Sequence, residues 1–371
     1  MKRPAAEKAL SQRQLIWRRF HKHRLAVVGL WVVASLYLLA AMAGFFAPQS
    51  IERKSLDHAY CPPQPIRFSF RHGLHTPALR QHVDPVTLRQ TYVRYGQSVL
   101  KLGFFVKGDE YRLLGLIPCR THLFGADPAA NGWTSDEHRR PFLLLGGDKY
   151  GRDLLSRLLH GARVSLSVGL VGIVVTFVLG LTIGGVSGYL SGRPDTVIQR
   201  LIEIINSFPR LPMWLALGAA VPNDWSPLKT YFAITVALGL LSWTGLARVV
   251  RGKILSLREE DYSTAARLLG ASHPRIIFRH LLPGFTSHII VSLTLALPGV
   301  ILGETSLSFL GLGLREPVVS WGVILQDCMD IEAVRYYPWL MAPVVTIVMT
   351  VLCFNFLGDG LRDAADPYAA R

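Results

Sequence analysis

The residue sets that usually carry chemistry are sparse in this chain. Its nearest approach to a phosphate-cradling loop, Gly252-Lys253-Ile254, lacks the upstream glycine and the following hydroxyl that hold phosphate and magnesium. No His-Glu-x-x-His zinc helix and no Gly-x-Ser-x-Gly nucleophile elbow occurs. Thiols and imidazoles gather between residues 48 and 163, where Cys61 and Cys119 stand with His72, His75, His82 and His122. A Cys61–Cys119 disulfide would close a 59-residue loop, worth about 4 kcal/mol in the chain-entropy relation. Cys119 and His122 also have the Cys-x-x-His spacing of half a metal site, and two free thiols are the third reading. Glu203 and Asn206 lie inside an apolar run and Glu304 at the end of another, where a charge is costly and therefore marks a pore or a gate. Each carboxylate has a plainer reading: Glu203 lies close enough to a segment end to reach the interface, and Glu304 is placed to cap the turn after it. With no nucleophile–base set in view, the chain reads as non-catalytic, with no metal or cofactor of its own. Any work it does draws on an outside energy source.

One stretch is built to meet something else. Residues 261–284, DYSTAARLLGASHPRIIFRHLLPG, read as a helix, a glycine break, a second helix and a proline. Glu259, Glu260 and Asp261 put negative charge at the first helix's N-terminus, where the dipole favours it. Tyr262, Ala265, Ala266 and Leu269 follow at i, i+3, i+4 and i+7, a small, mildly apolar stripe that another backbone can approach closely. Gly270 stands where a helix ends on a left-handed residue. Pro274 suits the first turn of the restart, and Ile276, Ile277 and Leu281 give it an apolar face before Pro283. By pattern alone this is a docking element or an amphipathic linker resting on lipid headgroups.

The elements that must hold these residues are membrane spans. Half the chain is hydrophobic and 18% is charged, below the roughly 25% of soluble domains. Six runs reach or approach the roughly 20 apolar residues that cross a bilayer: 25–47, 164–190, 197–221, 231–249, 285–303 and 339–357. The third is the poorest, since it contains Glu203, Asn206 and two prolines. Eight basic residues against one acid in 1–24 place that end in the cytoplasm. Counting crossings then puts 48–163 outside and 250–284 inside, and the seven bases against three acids of 248–283 fall on the positive, inner side. A net charge of +15 distributed this way speaks for membrane topology and against nucleic acid. Ala41-Met42-Ala43 has the look of a signal-peptidase site, but the apolar run before it is longer than a signal peptide's, so an uncleaved first span is expected.

The expected fold is an all-α membrane protein with six transmembrane helices and a long extracytoplasmic insert containing some short β-strands. Alternating stretches at 91–106 and 110–117, with turns at Gly96, Gly103 and Gly108-Asp109, carry the strand expectation. The expected parts are a basic segment 1–24, a first span 25–47, an insert 48–163 and a five-span core 164–371 with its cytoplasmic loop at 250–284. At the outer mouth of the second span, Arg152, Asp153 and Arg163 are placed either to meet a protein from outside or to pair with each other, a structural role being the preferred reading.

At the cytoplasmic loop the sequence resembles the permease subunits of ABC-type importers. Thr264-Ala265-Ala266, Gly270 and His280-Leu281-Leu282-Pro283 reproduce the spacing of that family's Glu-Ala-Ala, Gly, Ile-x-Leu-Pro signature, with Thr264 replacing the glutamate and His280 the isoleucine. A histidine there is similar to the dipeptide and oligopeptide (peptide/nickel) branch, and the chain resembles its second-permease, C-type members. Stretches 146–169, 304–322 and 358–367 also look like that branch. The resemblance is close over 140–371 and loose over 1–47, and it leaves 50–140 unexplained.

The resemblance implies the type I ABC importer permease fold in a bacterial cytoplasmic (inner) membrane, with both termini cytoplasmic. It implies half of a translocation pore beside a homologous second permease subunit. Two cytoplasmic ABC ATPase subunits would hold ATP and Mg, and an extracytoplasmic solute-binding protein would deliver the cargo. Carried over by position, Glu260, Asp261, Tyr262, Ala265, Ala266, Leu269, Gly270, His280 and Pro283 form the ATPase-coupling hairpin. The expected cargo is di- or oligopeptide, with nickel or another small solute as the alternative for the same machinery. A self-powered secondary transporter or channel is the rival of another class; it calls for midplane carboxylates or inverted repeats, which are not seen.

Overall fold

The computed structural model describes residues 12–86, 90–133, 140–222 and 224–365. The start of the basic leader, 87–89 and 134–139 of the insert, Asn223 and the end of the 358–367 stretch lie outside the described residues.

Helix α1 (Gln12–Lys22) leads into α2 (Arg24–Ala41) and the short α3 (Ala43–Phe46). His23 separates the first two because its Nδ1 accepts the Ala26 amide at 3.1 Å and caps α2. The insert then forms one antiparallel sheet in the order β1 (Arg67–Ser69), β2 (Gly73–Val83), β3 (Gln90–Leu113) and β4 (Ile117–Ala126). The two stretches expected as separate strands are one. The first half of β3 pairs with β2, and its second half pairs with β4 from Leu102↔Ala126 to Leu113↔Ile117. Gly96, Gly103 and Gly108-Asp109 therefore lie inside a strand and are not turns. A register shift between Lys107 and Tyr111 absorbs Gly108-Asp109 as a bulge, and the His122 ring lies where a Cβ on Gly108 would stand.

The core follows as α4 (Leu154–Leu190), α5 (Gly192–Ser207), α6 (Arg210–Ala219), α7 (Pro227–Leu257), α8 (Asp261–Leu268), α9 (His273–Arg275), α10 (Thr286–Phe309), α11 (Trp321–Leu325), α12 (Ile331–Tyr336) and α13 (Ala342–Ala365). Small residues let the long helices close on one another. A Cβ at Gly184 would meet Ala247 O at 2.5 Å, joining α4 to α7, and one at Gly29 would meet Cys353 O at 2.7 Å, joining α2 to α13. Leu154, Leu158, Leu166, Ile301, Trp321 and Phe354 are buried in the core where α4, α10, α11 and α13 meet. With 37 residues, α4 is about 55 Å long, far more than the hydrocarbon thickness.

Among the described residues, five helical runs are long and apolar enough to cross a membrane: Arg24–Ala41, Leu154–Leu190, Pro227–Leu257, His273–Phe309 and Pro338–Ala365. The expected third span is not among them. Its chain breaks at Phe208-Pro209, where Phe208 is extended, as a residue before proline must be, and α5 and α6 are both short.

Candidate functional site

The loop between α7 and α10 contains the first helix of the expected hairpin. Helix α8 starts after Glu260, whose backbone is extended and whose side chain makes no capping bond; Asp261 supplies the acid of the first turn. Its end is a Schellman turn. Gly270, at φ +78, donates to Arg267 O at 3.0 Å, and the Ala271 amide donates to Ala266 O at 3.0 Å. Of the expected stripe only Ala266 turns inward, beside the fully buried Ser263. Tyr262, Thr264, Ala265 and Leu269 face out. At the tip, Leu268 and Leu269 are 84% and 87% exposed. Burying such a side chain is worth roughly 1.5–3 kcal/mol, so this tip gains from a partner that covers it.

The second arm is not a separate helix. After the three residues of α9, a π turn at Ile276–Leu281 holding His280 and a 3-10 turn at Leu282–Phe285 holding Pro283 carry the chain straight into α10. Ile276, Ile277 and Leu281 are buried, as their spacing requires, and share a core with Ala266, Tyr189, Val250 and Ile254. Tyr189, at the C-terminal end of α4, anchors both arms. Its hydroxyl lies 3.2 Å from His273 Nδ1, and the Arg267 guanidinium stands 5.9 Å above its ring. Arg251 of α7 holds Asp195 with two hydrogen bonds of 2.6 Å, which keep that carboxyl below its usual pKa. Arg258 donates to Tyr189 O at 3.3 Å. The exposed tip is thus mounted on the C-terminal ends of α4 and α7.

The N-terminal end of α4 is arranged the other way. Asp148, fully buried, accepts from Arg152 Nε at 2.6 Å and from Arg157, and Glu316 receives the same two arginines at 2.7 and 3.1 Å. Asp153 caps α4 through the Ser156 amide at 2.9 Å and hydroxyl at 2.5 Å, while burial pushes its carboxyl up to about 6. Arg163 donates to the carbonyls of Ala40 and Ala41 at 3.1 and 2.9 Å. Arg152, Asp153 and Arg163 therefore do not pair with each other, because each has a nearer partner.

The three pore candidates do not converge. Glu304 is buried and accepts from Ser165 Oγ at 3.0 Å and Ser308 Oγ at 2.7 Å. Those hydroxyls accept the amides of Trp321 at 3.1 Å and Leu314 at 2.9 Å. The carboxylate thus knots α4, α10 and α11 together. Glu203 is exposed on α5 and bound to Arg200 at 2.7 Å. Asn206 accepts from Thr244 Oγ1 at 3.1 Å and ties α5 to α7.

Cys61 and Cys119 are free thiols in the structure, so the disulfide expectation is corrected. Cys61 is buried in the loop that hydrogen-bonds Gly147, its thiol pushed up to about 12 by burial. Cys119 is paired opposite Tyr111 on β4. The two belong to different substructures. Among the described residues no set of three or more His, Cys, Asp or Glu could hold a metal. His122 is occupied, its ring nitrogens 2.6 Å from Ala47 O and 3.0 Å from Asp109 O.

Sequence reasoning passed over Tyr189, Asp195, Arg157 and Leu268. Asp148 and Arg152 at i, i+4 were a legible signal for the outer network. The Tyr189–His273 contact joins residues 84 apart and had none.

A family model described as binding-protein-dependent transport system inner membrane component matches residues 180–371, and one for the N-terminal TM domain of oligopeptide transport permease C matches 11–63. The dipeptide transport system permease protein DppC of Bacillus subtilis is 31% identical over 371 residues, covering 100% of this chain and 89% of that protein. The oligopeptide transport system permease protein OppC of Escherichia coli is 42% identical over 224 residues, covering 60% of this chain and 72% of that protein. A solved structure of the MetNI methionine ABC transporter in inward-facing conformations overlaps 56% of this chain and 96% of its own, at 19% identity and a TM-score of 0.42. With the first family model covering more than half of its length, and a relative above 30% identity along all of it, the chain belongs to the binding-protein-dependent transport system inner membrane components, among the peptide ABC permeases.

Proposed function

We propose that this permease couples a transmembrane path for di- or oligopeptides to cytoplasmic ATPase subunits, which dock on α8 and its Leu268-Leu269 tip. The observation that carries this reading is the contrast between the exposed tip and its firm mounting on Tyr189 and the Arg251–Asp195 pair. A mobile tip would dissipate a push; this one passes it to α4 and α7. Glu260 and Asp261, exposed at the start of α8, supply the acid that Thr264 lacks. ATP and magnesium sit on the partners, and coupling is a free energy shared between their nucleotide site and this chain's conformations. The chain itself is non-catalytic.

In the same reading α5 and α6 together make the sixth crossing, both termini are cytoplasmic, and the membrane is the bacterial inner membrane. A second permease completes the pore, and a solute-binding protein delivers cargo from outside. Relatives named for dipeptide, oligopeptide and glutathione transport support a short-peptide cargo over nickel.

Gly270→Asp tests the docking. A Cβ there meets nothing within 4 Å, and Gly270 has φ +78, so the variant loses only about 1–2 kcal/mol through its left-handed backbone. Membrane insertion is expected to persist while ATPase copurification and peptide uptake are lost. Wild-type uptake would sink the coupling assignment.

A further inference from the structure

We propose that the hairpin joining β3 and β4 is a membrane anchor, with Leu114, Leu116 and Ile117 seated in the outer headgroup–acyl boundary beside the first span. Residues 113–119 read LLGLIPC, without a charge, between Arg112 and Arg120. A hairpin turn that faces water is normally built from Gly, Asn or Asp. Here Leu114 takes a left-handed position at φ +52, followed by Gly115 at φ +77, a conformation that bulky side chains rarely adopt. Leu114, Leu116 and Ile117 are 60%, 81% and 56% exposed. An uncovered apolar cluster of this kind marks an interaction surface.

The hairpin's contacts say which surface. A Cβ on Gly125 would lie 3.3 Å from Pro48 O, and His122 Nδ1 is 2.6 Å from Ala47 O. Tyr111, paired opposite Cys119, covers Gly44 so closely that a Cβ there would run into its ring. From Gly125 to Cys119 the hairpin therefore steps back along the chain from Pro48 to Gly44, toward the bilayer. A second scale of depth comes from α4. Ser156 Oγ accepts the Gln49 amide, whereas Arg163, about two turns deeper, reaches the carbonyls of Ala40 and Ala41, where the membrane-crossing helical run Arg24–Ala41 ends. Gly44 is therefore about one helical turn outside that edge. The turn begins three residues beyond Tyr111, about 10 Å at the strand's rise per residue, which brings Leu114–Ile117 to the same edge.

Lipid is the occupant that fits. The first span next to the hairpin has exposed apolar side chains of its own, Leu25, Val28, Trp31 and Leu38. Arg112, and Arg120 held by Glu110 at 2.8 Å, then stand at headgroup height, as cations flanking an interfacial segment do.

The test uses the full chain with its partner subunits in nanodiscs of phosphatidylcholine and phosphatidylglycerol, doped with a phosphatidylcholine carrying an acyl-chain diazirine. After irradiation, peptide mapping is expected to find lipid adducts on 113–118 at least about tenfold above those on the water-exposed turn at 84–86. Their level should match that on the outward face of α2, and Leu116→Glu should lower it at least about fivefold. A tip as clean as 84–86, or one cross-linked to a partner subunit in place of lipid, overturns the anchor. The mapping of the unsubstituted protein decides even if the variant assembles poorly.

Discussion

In the proposed orientation, the cytoplasmic loop and the outer mouth both carry motifs that resemble the family's, yet they dispose of their functional groups in opposite ways. At the outer mouth, Asp148, Arg152, Arg157 and Glu304 are buried and bound to groups of this same chain. In the cytoplasmic loop, Tyr262, Ala265, Leu268 and Leu269 face out with no cover. A motif whose groups are satisfied internally holds the fold in shape. One that leaves apolar side chains in water is unfinished until a partner arrives. Charge density by itself would have pointed to the wrong end, because the charge-rich outer mouth is the self-contained one.

That contrast can be broken most severely at Asp148. Asp148→Ala leaves Arg152 and Arg157 without their shared buried acceptor, a loss of about 3–5 kcal/mol. The expected result is a sharp fall in folded protein and in thermal unfolding temperature in detergent, whatever partners are present. If the variant folds and fails only in uptake, the outer mouth is a working site and the contrast is wrong.

Leu268→Asp with Leu269→Asp should behave in the reverse manner. Both positions are exposed, so stability should stay within about 0.5 kcal/mol for each, while ATPase copurification falls at least about tenfold, the equivalent of 1.4 kcal/mol. A large drop in unfolding temperature with the ATPases still bound would show that the tip serves the fold.

The smallest effect is expected at Glu203. Its pair with Arg200 is exposed and three residues apart, a kind of bridge worth about 0.3–0.5 kcal/mol. Glu203→Gln should leave both stability and uptake nearly unchanged. Loss of uptake at normal abundance would return this carboxylate to the translocation path.

Local rules made much of the loop legible in advance. Gly270 could be placed from sequence because a Schellman turn needs its left-handed residue at one position, whatever surrounds it. Ile276, Ile277 and Leu281 were readable as a buried face for the same reason, their period being a property of the helix. The stripe on α8 was harder. Its spacing was right, but which side of it faced the protein depended on Tyr189 and Ile276, and only Ala266 turned inward. In the insert, alternation identified strand, yet the merging of two stretches into one long β3 rested on pairing with β2 and β4.

Sequence alone determined where the apolar runs lie, which end carries the basic leader, where the loop turns, and that no phosphate-binding or zinc motif is present. These depend on composition and on spacing within a few residues. Tertiary structure decided which polar groups are spent on the fold and which stay free for partners. Glu304 finds Ser165 across 139 residues, Arg157 finds Glu316 across 159, and Cys61 and Cys119 remain unpaired. The physical reason is that a buried charge is governed by what lies within about 4 Å of it, and that neighbour is set by packing between elements far apart in the chain.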